Sequence, residues 1–307
     1  MRGWHGGTAS AGMIWGFATQ GLFMSDTAAS SASPASSFPL TVFIGGGNMA
    51  SAIVGGLLRH GAQAARMDII EPGAQQAQRL RQQFGVRVWA DAQAARETLA
   101  RAELLVWAVK PQVFAQAAQP VAPHTRQALH LCVMAGIGAD NIARQLDAPR
   151  VVRAMPNTPA LVGCGMTGLF ARAQASQADR ALAERVMAAA GQCLWVQQES
   201  LLDAVTALSG SGPAYVFYFL EAMQRAGVQM GLDAAQALRL ATATFSGASA
   251  LAERSDEPPA VLRERVTSPG GTTFAALCVL EQAHVAQSFE AAMHAACQRA
   301  QELGSQF

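Results

Sequence analysis

The sequence predicts an α/β protein. A doubly wound sheet domain spans 39–198 and an all-helical domain spans 199–307. Three observations carry this expectation. Short apolar runs alternate with helical stretches from Leu40 to Val196, the rhythm of strands joined by crossover helices. Strand signals stop after Glu199. The chain has 307 residues, 51% of them hydrophobic, enough for two cores at about 150 residues per domain.

Residues 40–44 form a short run of strand formers that ends in Gly45-Gly46-Gly47. A helix follows over 51–60, with Ile53, Val54, Leu57 and Leu58 on one face. Residues 67–70 read as a second strand, 74–84 as a helix, 86–89 as a third strand and 97–101 as a helix. The run 104–109 is continuously apolar, as a strand covered on both faces should be. Lys110-Pro111 stops it. A helix over 112–118, a strand over 129–133 and a strand over 151–154 come next. Strands at 166–170 and 193–196, with a helix over 177–190 between them, complete the sheet.

The second half reads as helices over 213–230, 233–253, 259–266, 273–282 and 285–303. Pro213 sits where its missing N–H costs nothing, and Asp233 is placed to cap. Tyr215 to Leu220 make the first of these helices apolar almost all round, which requires burial in a core or an interface. Val285, Phe289, Met293, Cys297 and Ala300 form a stripe at helical spacing. About a hundred residues make a thin core for so much apolar surface. Dimerisation through this half is therefore expected.

Composition narrows the function. Charged residues are 14%, against about 25% in an ordinary soluble chain, consistent with surface hidden between subunits. Lys plus Arg number 22 and Asp plus Glu 21, with no long basic run, so nucleic-acid binding is not expected. The 5 cysteines contain no C-x-x-C and the 6 histidines no H-E-x-x-H, so neither a disulfide framework nor a metal site is implied. No apolar stretch reaches the roughly 18 residues of a membrane helix. These features point to the cytoplasm. Residues 1–38, ending in a Ser/Ala/Pro tract, read as a flexible extension.

The chemistry-bearing segments sit at strand ends. Gly45-x-Gly47-x-x-Ala50 follows a strand and opens a helix, the context in which this motif binds a dinucleotide, and it makes the sheet domain Rossmann-like. Gly45 permits the turn. Gly47 lets backbone approach a pyrophosphate at the helix N-terminus, with Gly46, Asn48 and Met49 between and beyond them. Ala50 allows close packing. Glu71 ends the second strand, placed to accept bonds from the adenosine ribose and to disfavour a 2′-phosphate. Arg79 and Arg81 are near enough in sequence to reach a phosphate, so NADH and NADPH both stay open. Ala108, Val109, Lys110 and Pro111 end the central strand where open α/β sheets bind ligands. Ala135 and Gly136, small residues after the next strand, leave room for a nicotinamide ring. Thr267-Ser-Pro-Gly-Gly-Thr-Thr273 enters a helix and makes a nest for an anion such as a carboxylate. Ser209-Gly-Ser-Gly-Pro213 repeats that composition. No nucleophile–base pair and no carboxylate pair is evident, so a cofactor carries the chemistry.

Five segments together carry a resemblance: Ile44-Gly-Gly-Gly-Asn-Met-Ala50, Ala108-Val-Lys-Pro111, Arg153-Ala-Met-Pro-Asn-Thr-Pro-Ala160, Leu208-Ser-Gly-Ser-Gly-Pro-Ala-Tyr215 and Val266-Thr-Ser-Pro-Gly-Gly-Thr-Thr273. The chain from Leu40 onward resembles the pyrroline-5-carboxylate reductases. That resemblance implies reduction of a cyclic imine to proline with NADPH or NADH, and a helical dimerisation domain. It also implies a homodimer, in many members gathered into a decamer. Gly45 to Ala50, Ala108 to Pro111 and Met134 to Gly136 match the cofactor segments. Ser268, Gly271, Thr272 and Thr273 match the substrate-carboxylate loop, with the Thr273 hydroxyl near the ring nitrogen as the catalytic group. Glu199 matches an acidic position near the substrate. Arg265 stands where the family often has Asn, and Met134 where it usually has Ala. Read from the residues alone, two alternatives stand beside this. One is another NAD(P)-linked reductase using Lys110 as acid on a carbonyl, and the other is a non-catalytic dinucleotide sensor.

Overall fold

The structure is a computed structural model that describes residues 38–305. The extension expected over 1–38 therefore lies, but for Phe38, outside the described residues. Eight strands form one sheet: β1 (Thr41–Ile44), β2 (Met67–Ile70), β3 (Arg87–Trp89), β4 (Leu104–Trp107), β5 (Leu129–Cys132), β6 (Val151–Met155), β7 (Gly165–Ala171) and β8 (Gly191–Trp195), in the order β3-β2-β1-β4-β5-β6-β7-β8. All pairs are parallel except β6 with β7. The crossover from β3 back to β4 beside β1 makes a topological switch point, and ligands of open α/β sheets bind outside the strand ends there.

Strand side chains alternate between two apolar layers. Phe43, Met67, Ile69, Leu104 and Val106 face one; Val42, Ile44, Leu105, Trp107 and Cys132 face the other. Helices α1 (Asn48–Arg59), α2 (Ala74–Phe84) and α6 (Gln177–Ala188) cover the first layer. Helices α3 (Arg96–Arg101), α4 (Phe114–Thr125) and α5 (Ala139–Leu146) cover the second.

Two elements depart from expectation. Helix α4 continues past Ala118 through Pro120 and Pro123 to Thr125. Both prolines are exposed, so the carbonyls they leave unbonded face water, while Val121 and Thr125 are buried on the opposite side and hold the segment to the sheet. Helix α5 was not expected at all. It is short, and its face rests on Ile142 and Leu146.

The helical half comprises α7 (Leu201–Val205), a π-helical stretch Thr206–Gly210, α8 (Gly212–Gln229), α9 (Ala234–Glu253), α10 (Pro259–Arg265), α11 (Thr272–Gln282) and α12 (Val285–Gly304). Asp233 caps α9 in a reciprocal box with Gln236. Phe289 of α12 meets Tyr215 and Phe219 of α8 edge-on, with ring centroids 5.5 and 5.7 Å apart. The opposite side of α8 stays uncovered: Val216, Phe217, Tyr218 and Met223 are exposed, as are Leu238 and Leu240 of α9 and Phe274, Val279 and Leu280 of α11. No helix among the described residues is long and apolar enough to cross a membrane.

One buried polar group ties the second layer together. His130 of β5 is fully buried; its Nδ1 accepts from Trp107 Nε1 at 3.0 Å and its Nε2 donates to the Thr125 carbonyl at 3.0 Å. That pattern needs the neutral ring. Burial, helped by the nearby Arg150 charge and opposed by the Thr125 bond, pulls its pKa from 6.5 down to about 4. The unfolded chain therefore takes up a proton that the native state refuses. The stabilisation is fully present above pH 6.5 and is lost as pH falls from there toward 4. The expected loss is roughly 3 kcal/mol at 1.36 kcal/mol per unit. Urea unfolding midpoints should fall over that window more steeply in the native chain than in His130→Gln. Parallel curves would remove His130 from the account.

Candidate functional site

The site starts where β1 turns into α1. Gly45 sits at φ +94°, and a Cβ there would lie 2.8 Å from the Ala108 carbonyl oxygen. Only glycine lets the ends of β1 and β4 approach this closely. The turn is pinned on both sides: Gly45 N donates to the Ile70 carbonyl and Ala108 N to the Ile44 carbonyl, each at 2.9 Å. A side chain at Gly46 would strike Leu80 at 2.5 Å. The Gly46 peptide is held at both ends. Its N–H donates to Glu71 Oε2 at 2.9 Å, and its carbonyl accepts from Gln76 Nε2 at 2.7 Å. Glu71 Oε1 takes the Gly73 N–H at 2.8 Å.

Gly47 is the N-cap of α1, with open space around its Cα and no side-chain cap. Asn48, Met49 and Ala50 begin a helix with no acidic residue in its first turn. Its first N–H groups lack intrahelical partners and carry the positive end of the helix dipole, so the opening suits an anion. Ala50 is buried against the sheet, the close packing expected of it. A cleft of about 540 Å³ opens over this turn, lined by Gly45 to Gly47, Glu71, Ala108, Val109 and Lys110 among others. Pro111 starts the turn that leads from there into α4. A narrow backbone cradle at a helix N-terminus, with an acid at the neighbouring strand end, fits the pyrophosphate and ribose of a dinucleotide.

Met134, Ala135 and Gly136 follow β5, next to β4 along the same sheet edge. The Met134 side chain is buried in the second apolar layer. Gly136 adopts φ +82° and abuts the end of α12, where Gly304 Cα would lie 3.7 Å from a Cβ at Gly136. Arg81 spends a guanidinium nitrogen on the Val88 carbonyl at 2.6 Å.

The loop 267–273 has its own architecture. Gly270 takes the left-handed conformation at φ +71°, and Gly271, the N-cap of α11, has no side-chain cap. A Cβ at Gly271 would meet Ser268 Oγ at 2.5 Å. The hydroxyl of Ser268 thus lies beside the uncapped start of α11 at Thr272 and Thr273. Ser268 and Thr272 are exposed and Thr273 is half-buried, and none of 267–273 lines the cofactor cleft of its own chain.

Glu199 and Arg265 are occupied by other partners. Glu199 Oε1 accepts from Ala139 N at 2.6 Å and from Arg153 Nη1 at 2.7 Å. Arg265 donates to Glu257 Oε1 at 2.5 Å across an exposed pair. Three contributors were not singled out as site residues. Gln76 lay inside an ordinary polar helix. Asn157 ties the loop after β6 to the π-helical stretch, donating to the Ser209 carbonyl at 3.1 Å and accepting from Met166 N at 2.9 Å. Arg153 was visible as the one charge in the apolar run Val151-Val-Arg-Ala154.

Comparison with known proteins agrees with this geometry. The family described as pyrroline-5-carboxylate reductase dimerisation matches residues 199–303, and the family described as NADP oxidoreductase, coenzyme F420-dependent, matches residues 41–136. The chain is 42% identical to a pyrroline-5-carboxylate reductase of Pseudomonas aeruginosa over 88% of this chain and 98% of the relative. It is 36% identical to that of Escherichia coli, over 78% and 89%. A solved pyrroline-5-carboxylate reductase from Coxiella burnetii superposes with a TM-score of 0.80 at 36% identity, covering 87% of this chain and 98% of that one. The Plasmodium falciparum pyrroline carboxylate reductase with NADP bound gives a TM-score of 0.78 at 25% identity, covering 87% and 99%. With a dinucleotide cradle at the switch point and a helical half built for self-association, the chain belongs to the pyrroline-5-carboxylate reductase family.

Proposed function

We propose that this protein reduces L-Δ1-pyrroline-5-carboxylate to L-proline with NADPH or NADH, at a site completed by two subunits. The observation that carries the reading is that the relatives span both halves of the chain. The strand-end cradle and the 267–273 nest therefore occur together in one protein.

The uncapped first turn of α1, from Gly47 to Ala50, would hold the pyrophosphate on backbone N–H groups over the turn that Gly45 and Gly46 form, with Glu71 at the adenosine ribose and Ala108 to Pro111 along the span toward the nicotinamide. Ala135 and Gly136 leave space for the ring. Bound in this way, the reduced nicotinamide supplies a hydride to the imine carbon.

The protein contributes position and charge. The Ser268 hydroxyl and the N–H groups of Thr272 and Thr273 grip the substrate carboxylate, which aims the C=N carbon at the cofactor. The Thr273 hydroxyl donates to the ring nitrogen as electron density gathers there. Reduction of the protonated imine leaves a neutral amine, which takes its second proton from water through the same hydroxyl. This assignment needs no side chain with a shifted pKa.

The nest does not line the cleft of its own chain, and the uncovered apolar faces of α8, α9 and α11 call for a second copy. We place the nest of one subunit over the cleft of its partner. This arrangement makes activity a property of the dimer. A larger ring of dimers is compatible with it and is not required by the chemistry.

Three expectations follow. Nicotinamide absorbance should fall when the cyclic imine and reduced cofactor are both present. Thr273→Ala should lower kcat/KM for the imine about 10²-fold, the usual effect of losing one donor to developing charge. Cofactor affinity, read by nicotinamide fluorescence, should change little; equal damage to both would remove the nest from substrate binding. Third, Phe217→Glu with Leu240→Glu should yield monomers by light scattering that still bind cofactor but turn over no imine. A fully active monomer contradicts the shared site.

A further inference from the structure

The loop between β5 and α5 is contacted from the helical half at two points. At its far end, Glu199 reaches across the junction and accepts the Ala139 N–H at 2.6 Å. That N–H belongs to the first turn of α5, whose own N-cap, Gly138, offers no side chain. The same carboxylate oxygen holds Arg153 at 2.7 Å, and the Arg153 side chain is only 9% exposed. Arg153 Nε is buried with no partner among the described residues, so Glu199 is a main satisfier of this cation. Asp203 completes the group; burial and the Glu199 charge push its carboxyl up, and Arg153 pulls it down.

In the middle of the loop, the last turn of α12 packs against Gly136. A Cβ on Gly304 would sit 3.2 Å from the Gly136 carbonyl oxygen. That contact is tight enough that any side chain there must push the loop. Helix α12 rests in turn on the π-helical stretch and on α7, the element that follows Glu199. The helical half thus touches the six-residue loop 133–138 at Gly136 and at its exit into α5.

We infer that Glu199 and Arg153 are positioning residues that, with the end of α12, set the depth of the 133–138 loop against the nicotinamide. This rests on the proposed reading of Ala135 and Gly136 as the nicotinamide-facing residues. Glu199 acts through the backbone of α5 rather than on the substrate. A displacement of about 1 Å in such a loop is enough to cost about 10²-fold in turnover. The adenosine end of the cofactor, bound at Glu71 and Gly45 to Gly47, lies beyond the reach of this grip.

The test compares Glu199→Gln, Glu199→Ala, Arg153→Lys, Arg153→Met and Gly304→Val in the full-length dimer. Glu199→Gln keeps an acceptor for Ala139 but loses the charge facing Arg153; Glu199→Ala loses both. The kcat should fall in that order, reaching about 10²-fold in Glu199→Ala. Arg153→Lys should retain most of the kcat that Arg153→Met loses. The KM for the imine and the dissociation constant of the cofactor should stay within about threefold. Gly304→Val changes no polar contact and sits in the last helical turn, so it decides the matter if an Arg153 variant fails to fold. It should lower kcat with unchanged thermal stability. Undiminished kcat in Glu199→Ala and Gly304→Val overturns the inference. So does a loss of kcat matched by equal loss of cofactor affinity or of folded protein. Absent turnover in the native dimer would instead sink the proposed function, which keeps the two failures apart.

Discussion

The contact between Gly45 and the Ala108 carbonyl is what the rest of this molecule is arranged around. A Cβ would stand 2.8 Å from that oxygen, so the approach exists only because residue 45 has none. It lets β1 and β4 finish side by side at the switch point and lets α1 start immediately above them. The first turn of α1 then opens at the cleft over the strand ends. Glu71 and Gln76 clamp the next peptide from both sides, so the cradle is rigid before any ligand arrives. Preorganisation of this kind spares a bound phosphate the cost of ordering the loop.

The helical half has the opposite character. Its internal packing is modest, centred on Phe289 between Tyr215 and Phe219, and much of its apolar surface faces outward. An uncovered apolar face of this kind marks an association surface. The family match over 199–303 supplies the reason: this region is the dimerisation module. The two halves are therefore not a catalytic domain and an ornament. On the proposed reading, one supplies a cradle for the cofactor and the other a loop, 267–273, that does not line the cleft of its own chain.

Much of this was legible in the residues. Continuous apolar runs such as Leu104 to Trp107 announced buried parallel strands, because no other environment tolerates them. The glycine turn was legible because its context, strand before and helix after, is local. The Asp233 cap was legible for the same reason. Helix α5 was missed although its buried residues Ala139, Ile142, Ala143 and Leu146 fall at helical spacing, so its signal was present in the residues. Helix α4 ran past two prolines because burial of Val121 and Thr125 outweighs the lost bonds, a tertiary effect that local rules miss. The π-helical turn at Thr206–Gly210 has no sequence signature. In the site, Glu71 lay at the expected strand end, but its hold on Gly46 and Gly73 needed the fold to be seen. Glu199 carried a family position whose partners, Ala139 and Arg153, are 60 and 46 residues away. Pairings across such distances are set by topology, not by spacing.

The central claim is that a carboxylate-gripping nest and a nicotinamide-facing cleft meet across the subunit boundary. A crystal structure of the dimer with oxidised cofactor and proline, the product pair, tests it most directly. The account predicts the proline carboxylate on Ser268 and the N–H groups of Thr272 and Thr273, with its ring carbon facing the nicotinamide held by the other subunit. An empty nest with proline lodged elsewhere, or a nest and cofactor from the same chain, would contradict it.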